Sequence, residues 1–358
     1  MKNKIISFPH LGDYAYIVKY LFIKLTDCEI MLSPKITKRT IELGNKNSPN
    51  FVCVPFKYNL GNYIEALENG ANVLFQFGGG CRYGYYAELQ EQILKDLGYN
   101  FTFYTMTDKG KLSIKKLYKI FKELNNNLKF SKFIYHFIIT FLMIFIVDKR
   151  EHFIRKNIGF EEKENSFINL KQNFIDELIN NKGIINTLLI GKKYKKLFKN
   201  LGINKPTNPL KVGIIGELYT SMEPFSSYNL EYELAKLNIE IKRFTNLSYL
   251  LILKWIKRPY IKYKIRKFVK YELGADGLDN VYRTIYLMDK KYDGIIHIKP
   301  FGCTPEVSTI PIIDKICHKN NMPITYFSFD TLTENTGITT RIEAFYDMIK
   351  MKKEKEYE

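Results

Sequence analysis

Val73-Leu74-Phe75-Gln76-Phe77-Gly78-Gly79-Gly80-Cys81-Arg82-Tyr83-Gly84-Tyr85-Tyr86-Ala87 joins an apolar run to a helical pattern that continues to Leu97 and closes at Gly98. A continuous apolar run of this length, followed by glycines and then by helical spacing, reads as a buried parallel strand meeting its crossover helix. The same alternation recurs outward from it. Lys4 to Phe8 reads as a strand, and Tyr14 to Leu25 has helical spacing with Asp13 as candidate cap. Glu29 to Leu32 reads as a strand, Thr37 to Leu43 as a short helix closed by Gly44, and Asn59 to Asn69 as a helix ending at Gly70. Phe101 to Thr105 is a further strand.

Beyond Lys111 the strand signals stop, and the pattern stays helical and Lys-rich to Leu201. Asn204-Lys205-Pro206-Thr207-Asn208-Pro209 reads as a linker. Strands then resume at Lys211 to Ile215, Glu240 to Phe244, Gly294 to Ile298 and Ile324 to Phe329, with helices at Asn229 to Leu237, Glu306 to Asn320 and Thr340 to Lys350. The predicted fold class is α/β, with two flavodoxin- or Rossmann-like open parallel-sheet lobes around a helical middle region. The predicted divisions are an N-terminal lobe over 1–108, a mostly helical region over 109–205, a C-terminal lobe over 206–350 and a charged tail over 351–358.

The totals limit the function classes. A chain of 358 residues with 46 % hydrophobic content has ample core and is not of disordered composition. Five cysteines without a short repeated spacing argue against a secreted disulfide framework, and the N-terminus lacks a signal-peptide pattern, so a reducing cytosol is expected. Phe133 to Val147 is apolar over about fifteen residues, short of the roughly twenty that span a bilayer, and reads as a buried core helix. The net charge of +18 concentrates in Lys254 to Lys270, where Trp255, Tyr260, Tyr263 and Phe268 are interleaved, and in Lys192 to Lys199. The reading adopted is a pair of solvated amphipathic helices with Lys stems lying over apolar surface. A nucleic-acid surface is the rival.

Cys53, Cys81 and Cys303 each stand where an apolar run ends or a helical pattern begins. In open parallel sheets the ligand crevice lies beyond the carboxyl ends of the strands, so cysteines at several such ends are candidates to converge on one object. Thiolates suit iron and zinc, and a helix start offers unpaired amides to negative sulfur. Gly78, Gly79, Gly80 and Gly302 would let main chain approach a bulky group. Buried structural cysteine is the competing reading. Zinc would need a fourth ligand from His10, His297 or His318. Cys317 falls on a core face and Cys28 at a strand edge, and both are set aside.

Four motifs then act together. Cys53-Val54-Pro55-Phe56-Lys57 with Leu60-Gly61-Asn62, Cys81-Arg82-Tyr83-Gly84-Tyr85-Tyr86, Pro300-Phe301-Gly302-Cys303-Thr304-Pro305-Glu306 and Thr339-Thr340-Arg341-Ile342-Glu343-Ala344-Phe345 resemble the 2-hydroxyacyl-CoA dehydratase D-component family. With Gly216-Glu217-Leu218-Tyr219 and Glu223-Pro224-Phe225, the chain looks like that family's short activase-related, or CoA protein activase, branch.

The resemblance covers nearly the whole chain. It implies flavodoxin-like domains and an iron–sulfur cluster, [4Fe-4S] or double cubane, carried over to Cys53, Cys81 and Cys303. It implies electrons from an ATP-dependent actin-like activase with its own cluster, passed on to an acyl-CoA or other small-molecule substrate, within a homo- or heterodimer. The chain shows no ATP-binding signature of its own. Arg82 and Lys57 flank two of the thiols and would favour a more negative cluster. Glu306 is a candidate proton relay but reads better as a cap for the helix after Pro305; Arg341 and Glu343 are further candidates for shaping the site. Two rivals are kept: a non-catalytic two-lobed binding or accessory subunit, and a basic nucleic-acid binder.

Overall fold

The computed structural model describes residues 4–78, 81–108 and 111–355. They form two compact units divided between Met143 and Ile144.

In the first unit β1 (Ile5–Ser7), α1 (Tyr14–Leu25), β2 (Glu29–Ile30), α2 (Lys38–Asn47), α3 (Val54–Glu68), β3 (Val73–Gln76), α4 (Tyr86–Asp96) and β4 (Thr102–Thr105) follow in order. The four strands make an all-parallel sheet in the order β2-β1-β3-β4. Alternation along the strands serves two cores. Ile6 and Phe75 pack with Leu21, Phe22 and Phe121 on one face, while Leu74 packs with Phe56, Leu60, Tyr63 and Leu94 on the other. Strand bounds agree with the alternation read from sequence to within a residue or two.

Two helix bounds of this unit do not, and in the second unit the last helix, read over Thr340 to Lys350, runs from Asn335 to Lys355. α2 runs through Gly44, which is no terminator: a Cβ there would stand 1.9 Å from the Lys57 carbonyl oxygen, so glycine lets α2 lie directly on α3. α3 begins at Val54, a turn and a half earlier than the spacing suggested, and Cys53 is its N-cap.

A hairpin of β5 (Thr107–Asp108) and β6 (Lys111–Leu112) then leads into α5 (Ile114–Leu124), a short antiparallel element that the helical reading of 109–205 overlooked. The helical reading otherwise holds: α6 (Phe130–Asn157), α7 (Ser166–Ile179) and α8 (Ile184–Lys199) follow. The division between the units falls inside α6. By length and composition α6 is long and apolar enough to cross a membrane, and it is the one such helix among the described residues. Phe133, Ile139, Met143 and Val147 are buried, but Tyr135, Ile138 and Phe145 are exposed and 39 % of its most apolar stretch is buried, so α6 is only in part the buried core helix expected from sequence. Asp148, also on α6, is buried and accepts the Ser248 amide at 2.8 Å.

In the second unit β7 (Leu210–Gly216), α9 (Leu218–Met222), α10 (Leu230–Lys236), β8 (Ile239–Arg243), α11 (Lys254–Ile265), α12 (Gly277–Asp289), β9 (Gly294–Pro300), α13 (Thr304–Lys319), β10 (Ile324–Phe329) and α14 (Asn335–Lys355) complete the chain. Their sheet is all-parallel in the order β10-β9-β7-β8. Counted within each unit, both sheets run second-first-third-fourth. Both therefore reverse direction between the first and third strands, the point where open α/β sheets bind ligands. Val212, Ile214, Ile296 and Ile298 pack on α10 and α14, and Ile215 and Ile295 pack under α11, α12 and α13.

Candidate functional site

Each of the three singled-out cysteines is the N-cap of a helical segment. Cys53 caps α3 and Cys303 caps α13, both with proline in the first turn, as the shared Cys-x-Pro spacing dictates. Cys81 caps the 3₁₀ turn Arg82–Tyr85 that feeds α4. Cys81 follows β3 and Cys303 follows β9, so each stands after the third strand of its sheet, beside the switch point. Backbone amides at such starts point outward and favour a thiolate.

In the first unit Cys53 Sγ lies 2.7 Å from the Tyr86 hydroxyl. Cys81 Sγ accepts the Tyr83 amide at 3.4 Å. Burial holds the Tyr86 proton well above the usual phenol range, and the negative charges of Cys53 and Cys81 add to it, so both thiols act on one hydroxyl. Phe56 meets Tyr86 edge-on at 4.8 Å and Tyr83 lies 5.2 Å from it, so the wall beside the thiols is aromatic. Asn59 fixes the Tyr83 hydroxyl at 2.7 Å. Lys57 donates to Asn45 Oδ1 at 2.7 Å, and Arg82 is exposed. Gly78 makes room for Thr107, whose Oγ1 would stand 1.9 Å from an added Cβ. Gly79 and Gly80 lie outside the described residues.

In the second unit Cys303 is buried, and Gly302 before it takes φ +73°, a left-handed turn that glycine adopts freely. Lys299, a residue the sequence reading passed over, is buried on β9. Burial lowers its pKa, opposed by the charges of Cys303 and Glu306, and its ammonium donates to Ser328 Oγ at 3.1 Å. Lys299 is thus a strand cation within electrostatic reach of Cys303.

Glu306 is not a helix cap. Its side chain is buried and turned into the sheet, where it accepts Asn280 Nδ2 at 2.9 Å on both oxygens and His297 Nε2 at 2.7 Å. The first turn of α13 is anchored inward by this carboxylate instead of being closed by it. His297 is therefore committed to Glu306, and His318 is exposed at the far end of α13, which removes two of the three histidines considered for zinc. Among the described residues no group of three or more His, Cys, Asp or Glu side chains is gathered to hold a metal ion. Arg341 donates to the Tyr326 carbonyl and lies 4.5 Å from the Phe327 ring, beside a depression of about 330 Å³ at the end of β10.

Of the two partners of Glu306, His297 lies on β9 and Asn280 on α12, a helix absent from the sequence reading. Asn280 brackets the Gly216 peptide, accepting its amide and donating to its carbonyl at 3.2 Å each. Arg283 donates to Thr245 at 2.9 Å and lies 5.0 Å from the Tyr249 ring. Asp276 and Asp279 face Lys254 at 2.6 and 3.6 Å. The spacing of Leu278, Val281 and Leu287 would have exposed the helix; its other face is polar yet buried, which is why composition made it look like loop.

Neither the family models nor the curated proteins searched match this chain.

Glu217 follows β7 at the same sheet edge, where its carboxylate accepts the Tyr219 and Thr220 amides at 3.0 and 2.9 Å. Burial pushes its pKa from the usual 4.5 up to about 7; the Thr220 and Tyr219 hydrogen bonds oppose the rise and the Asp276 charge adds to it. The folded chain therefore holds a proton that the unfolded chain releases between these values. Its contribution to stability is full below pH 4.5 and is lost as pH rises through about 7. Urea unfolding across this range is expected to show stability declining with pH, and Glu217→Gln is expected to flatten that slope. An unchanged slope in the variant would contradict the assignment.

Proposed function

We propose that the protein is a cytosolic iron–sulfur protein working in low-potential electron transfer of the 2-hydroxyacyl-CoA dehydratase type, with Cys53, Cys81 and Cys303 as the ligating thiolates. The observation that supports this most is the matched placement of Cys81 and Cys303: both follow the third strand of a parallel sheet of the same order, and both start a helical segment. The donor chemistry suits the group, since iron–sulfur clusters are held by thiolates. When bound, such a cluster supplies single electrons at low potential. The protein's own residues would tune it. Tyr86 meets Cys53, the Tyr83 amide meets Cys81, and the buried Lys299 interacts electrostatically with Cys303. Hydrogen bonds and charge of this kind raise a cluster's potential and steady its thiolates. An actin-like ATP-dependent activase with its own cluster is the proposed electron donor. A small-molecule or acyl-CoA acceptor and a homo- or heterodimeric state belong to the same proposal.

Anaerobic purification followed by iron and acid-labile sulfide analysis tests it. Brown protein with both elements in near-equal amount is expected. Colourless, iron-free protein after anaerobic reconstitution would end the reading.

A second reading, a non-catalytic binding or accessory subunit, has one observation in its favour. At the carboxyl edge of the second sheet Asp276 Oδ2 and Arg283 Nη2 are buried and, among the described residues, have no hydrogen-bond partner, which suits a crevice that takes a small polar ligand. On this reading the three cysteines are replaceable by alanine without loss of stability or binding.

A further inference from the structure

The basic block of the second unit lays only part of its apolar residues against the core. Ile261 and Ile265 are buried under α11, but the opposite side of the same helix carries a second apolar row. Trp255 is 59 % exposed, Ile256 69 % and Tyr263 59 %, with Ile252 and Tyr260 exposed beside them. Ile256, Tyr260 and Tyr263 recur at spacings of four and three and form one stripe along the outer face, with Trp255 at its edge and Ile252 in the turn that leads into the helix. Tyr271, 81 % exposed, extends the apolar surface just beyond the helix.

Cations border this stripe. Lys257 and Lys264 lie to one side by helical spacing and Lys262 to the other; Arg266, Lys267 and Lys270 follow at the helix end, all exposed. Lys264 lies 5.6 Å from the Tyr260 ring and Arg266 lies 4.1 Å from the Tyr263 ring, so aliphatic stems run along the aromatics with charged heads at the rim. Glu272 is the sole acidic residue from Tyr249 to Gly274, and it is already paired with Arg258 and Lys262. A lone amphipathic core helix has no use for a second apolar face, and leaving isoleucine and tryptophan in water is unfavourable.

We propose that α11 docks the protein peripherally on an anionic lipid bilayer, with Trp255, Ile256, Tyr260 and Tyr263 entering the headgroup–acyl boundary and the surrounding Lys and Arg meeting acidic headgroups. Exposed aliphatic residues, Ile256 on the stripe and Ile252 in the turn before it, decide between bilayer and nucleic acid. A phosphate backbone calls for cations at the centre of the contact, and Ile252 and Ile256 have nothing to gain there. An interfacial helix calls for an apolar centre, Trp and Tyr at headgroup level, and cations at the margins, which is the arrangement found. This surface is independent of the thiols and is compatible with a cytosolic protein that reaches the inner leaflet.

Trp255 is the only tryptophan in the chain, so intrinsic emission reports on the stripe itself. The full-length protein is titrated with vesicles of phosphatidylcholine alone and of equal parts phosphatidylcholine and phosphatidylglycerol. The mixed vesicles are expected to shift Trp255 emission to the blue, shield it from acrylamide and carry the chain into the pellet; phosphatidylcholine alone is expected to do so weakly. Ile256→Asp with Tyr260→Asp, both at exposed positions and checked for unchanged circular dichroism, is expected to weaken partition by about tenfold or more. Lys264→Glu with Lys267→Glu is expected to weaken it with a reduced dependence on salt. Unmoved Trp255 emission in mixed vesicles would overturn the proposal, whether or not the chain sediments. Quenching of Trp255 by single-stranded DNA, with no response to vesicles, would also overturn it and give the face to nucleic acid.

Discussion

Glu306→Ala is expected to lower stability by about 3–5 kcal/mol, the cost of breaking a buried polar network by removing its central acceptor. The carboxylate holds two buried donors at once, Asn280 Nδ2 and His297 Nε2. Asn280 keeps its bond to the Gly216 carbonyl in the variant, but His297 keeps none, because its Nδ1 is already without a partner among the described residues. A buried imidazole with both nitrogens unpaired bears the full desolvation cost. At roughly 2–4 °C per kcal/mol for a unit of this size, a fall in melting temperature of about 10 °C is expected. Glu306→Gln retains the volume but turns an amide donor towards one of two existing donors, so a smaller loss of about 1–3 kcal/mol is expected. Differential scanning calorimetry distinguishes this network from a cap. Loss of a capping side chain costs about 1 kcal/mol, and glutamine at a cap would be nearly neutral. A drop of that smaller size in Glu306→Ala would show that the buried network carries little.

The second large effect lies between α2 and α3. A Cβ on Gly61 would stand 2.0 Å from the Thr40 carbonyl oxygen, and one on Gly44 would stand 1.9 Å from that of Lys57. Both obstacles are backbone, so a rotamer change cannot relieve them, and the helices must separate. Separation would strain the bond of Thr40 to the buried Glu65 carboxylate at 2.8 Å and would displace the start of α3, where Cys53 sits. Gly61→Val is expected to cost about 3 kcal/mol or more in urea unfolding. Gly337→Ala is the matched control. An added Cβ there meets nothing within 4 Å, so a change within about 1 kcal/mol, towards stabilisation, is expected. Equal losses in the two variants would refute the close-approach explanation.

These two sites show what the linear sequence could and could not convey. Strand runs such as Val73–Gln76 and Gly294–Pro300 are buried throughout because helices cover both faces of their sheets, and their mostly apolar composition makes them visible without a fold. The thiol positions were visible for the same reason, each standing just outside such a run or a helical pattern. Gly44 looked like a helix stop because glycine signals termination in isolation, whereas here its cause is a second helix reached only after folding. Glu306 looked like a cap because it follows proline at a helix start; its partner Asn280 is 26 residues away on a helix with one buried polar face. Periodicity methods read hydrophobic alternation, so polar residues buried by mutual hydrogen bonding are invisible to them. Trp255 and Ile256 pose the opposite case, since both are exposed. Apolar residues at helical spacing imply burial, and only the position of Ile261 and Ile265 on the inward face shows that the other row is turned out.

The central claim is that three named thiols, and not the remaining two, hold a redox-active cluster. Iron content and the electron paramagnetic resonance spectrum of the dithionite-reduced protein, prepared without oxygen, test it most directly when Cys53→Ser, Cys81→Ser and Cys303→Ser are compared with wild type and with Cys28→Ser as control. The expected result is a cluster signal with full iron in wild type and Cys28→Ser, and loss or marked reduction of both in the other three. Iron-free wild type, or iron and signal unchanged in Cys53→Ser, Cys81→Ser and Cys303→Ser alike, would contradict the claim.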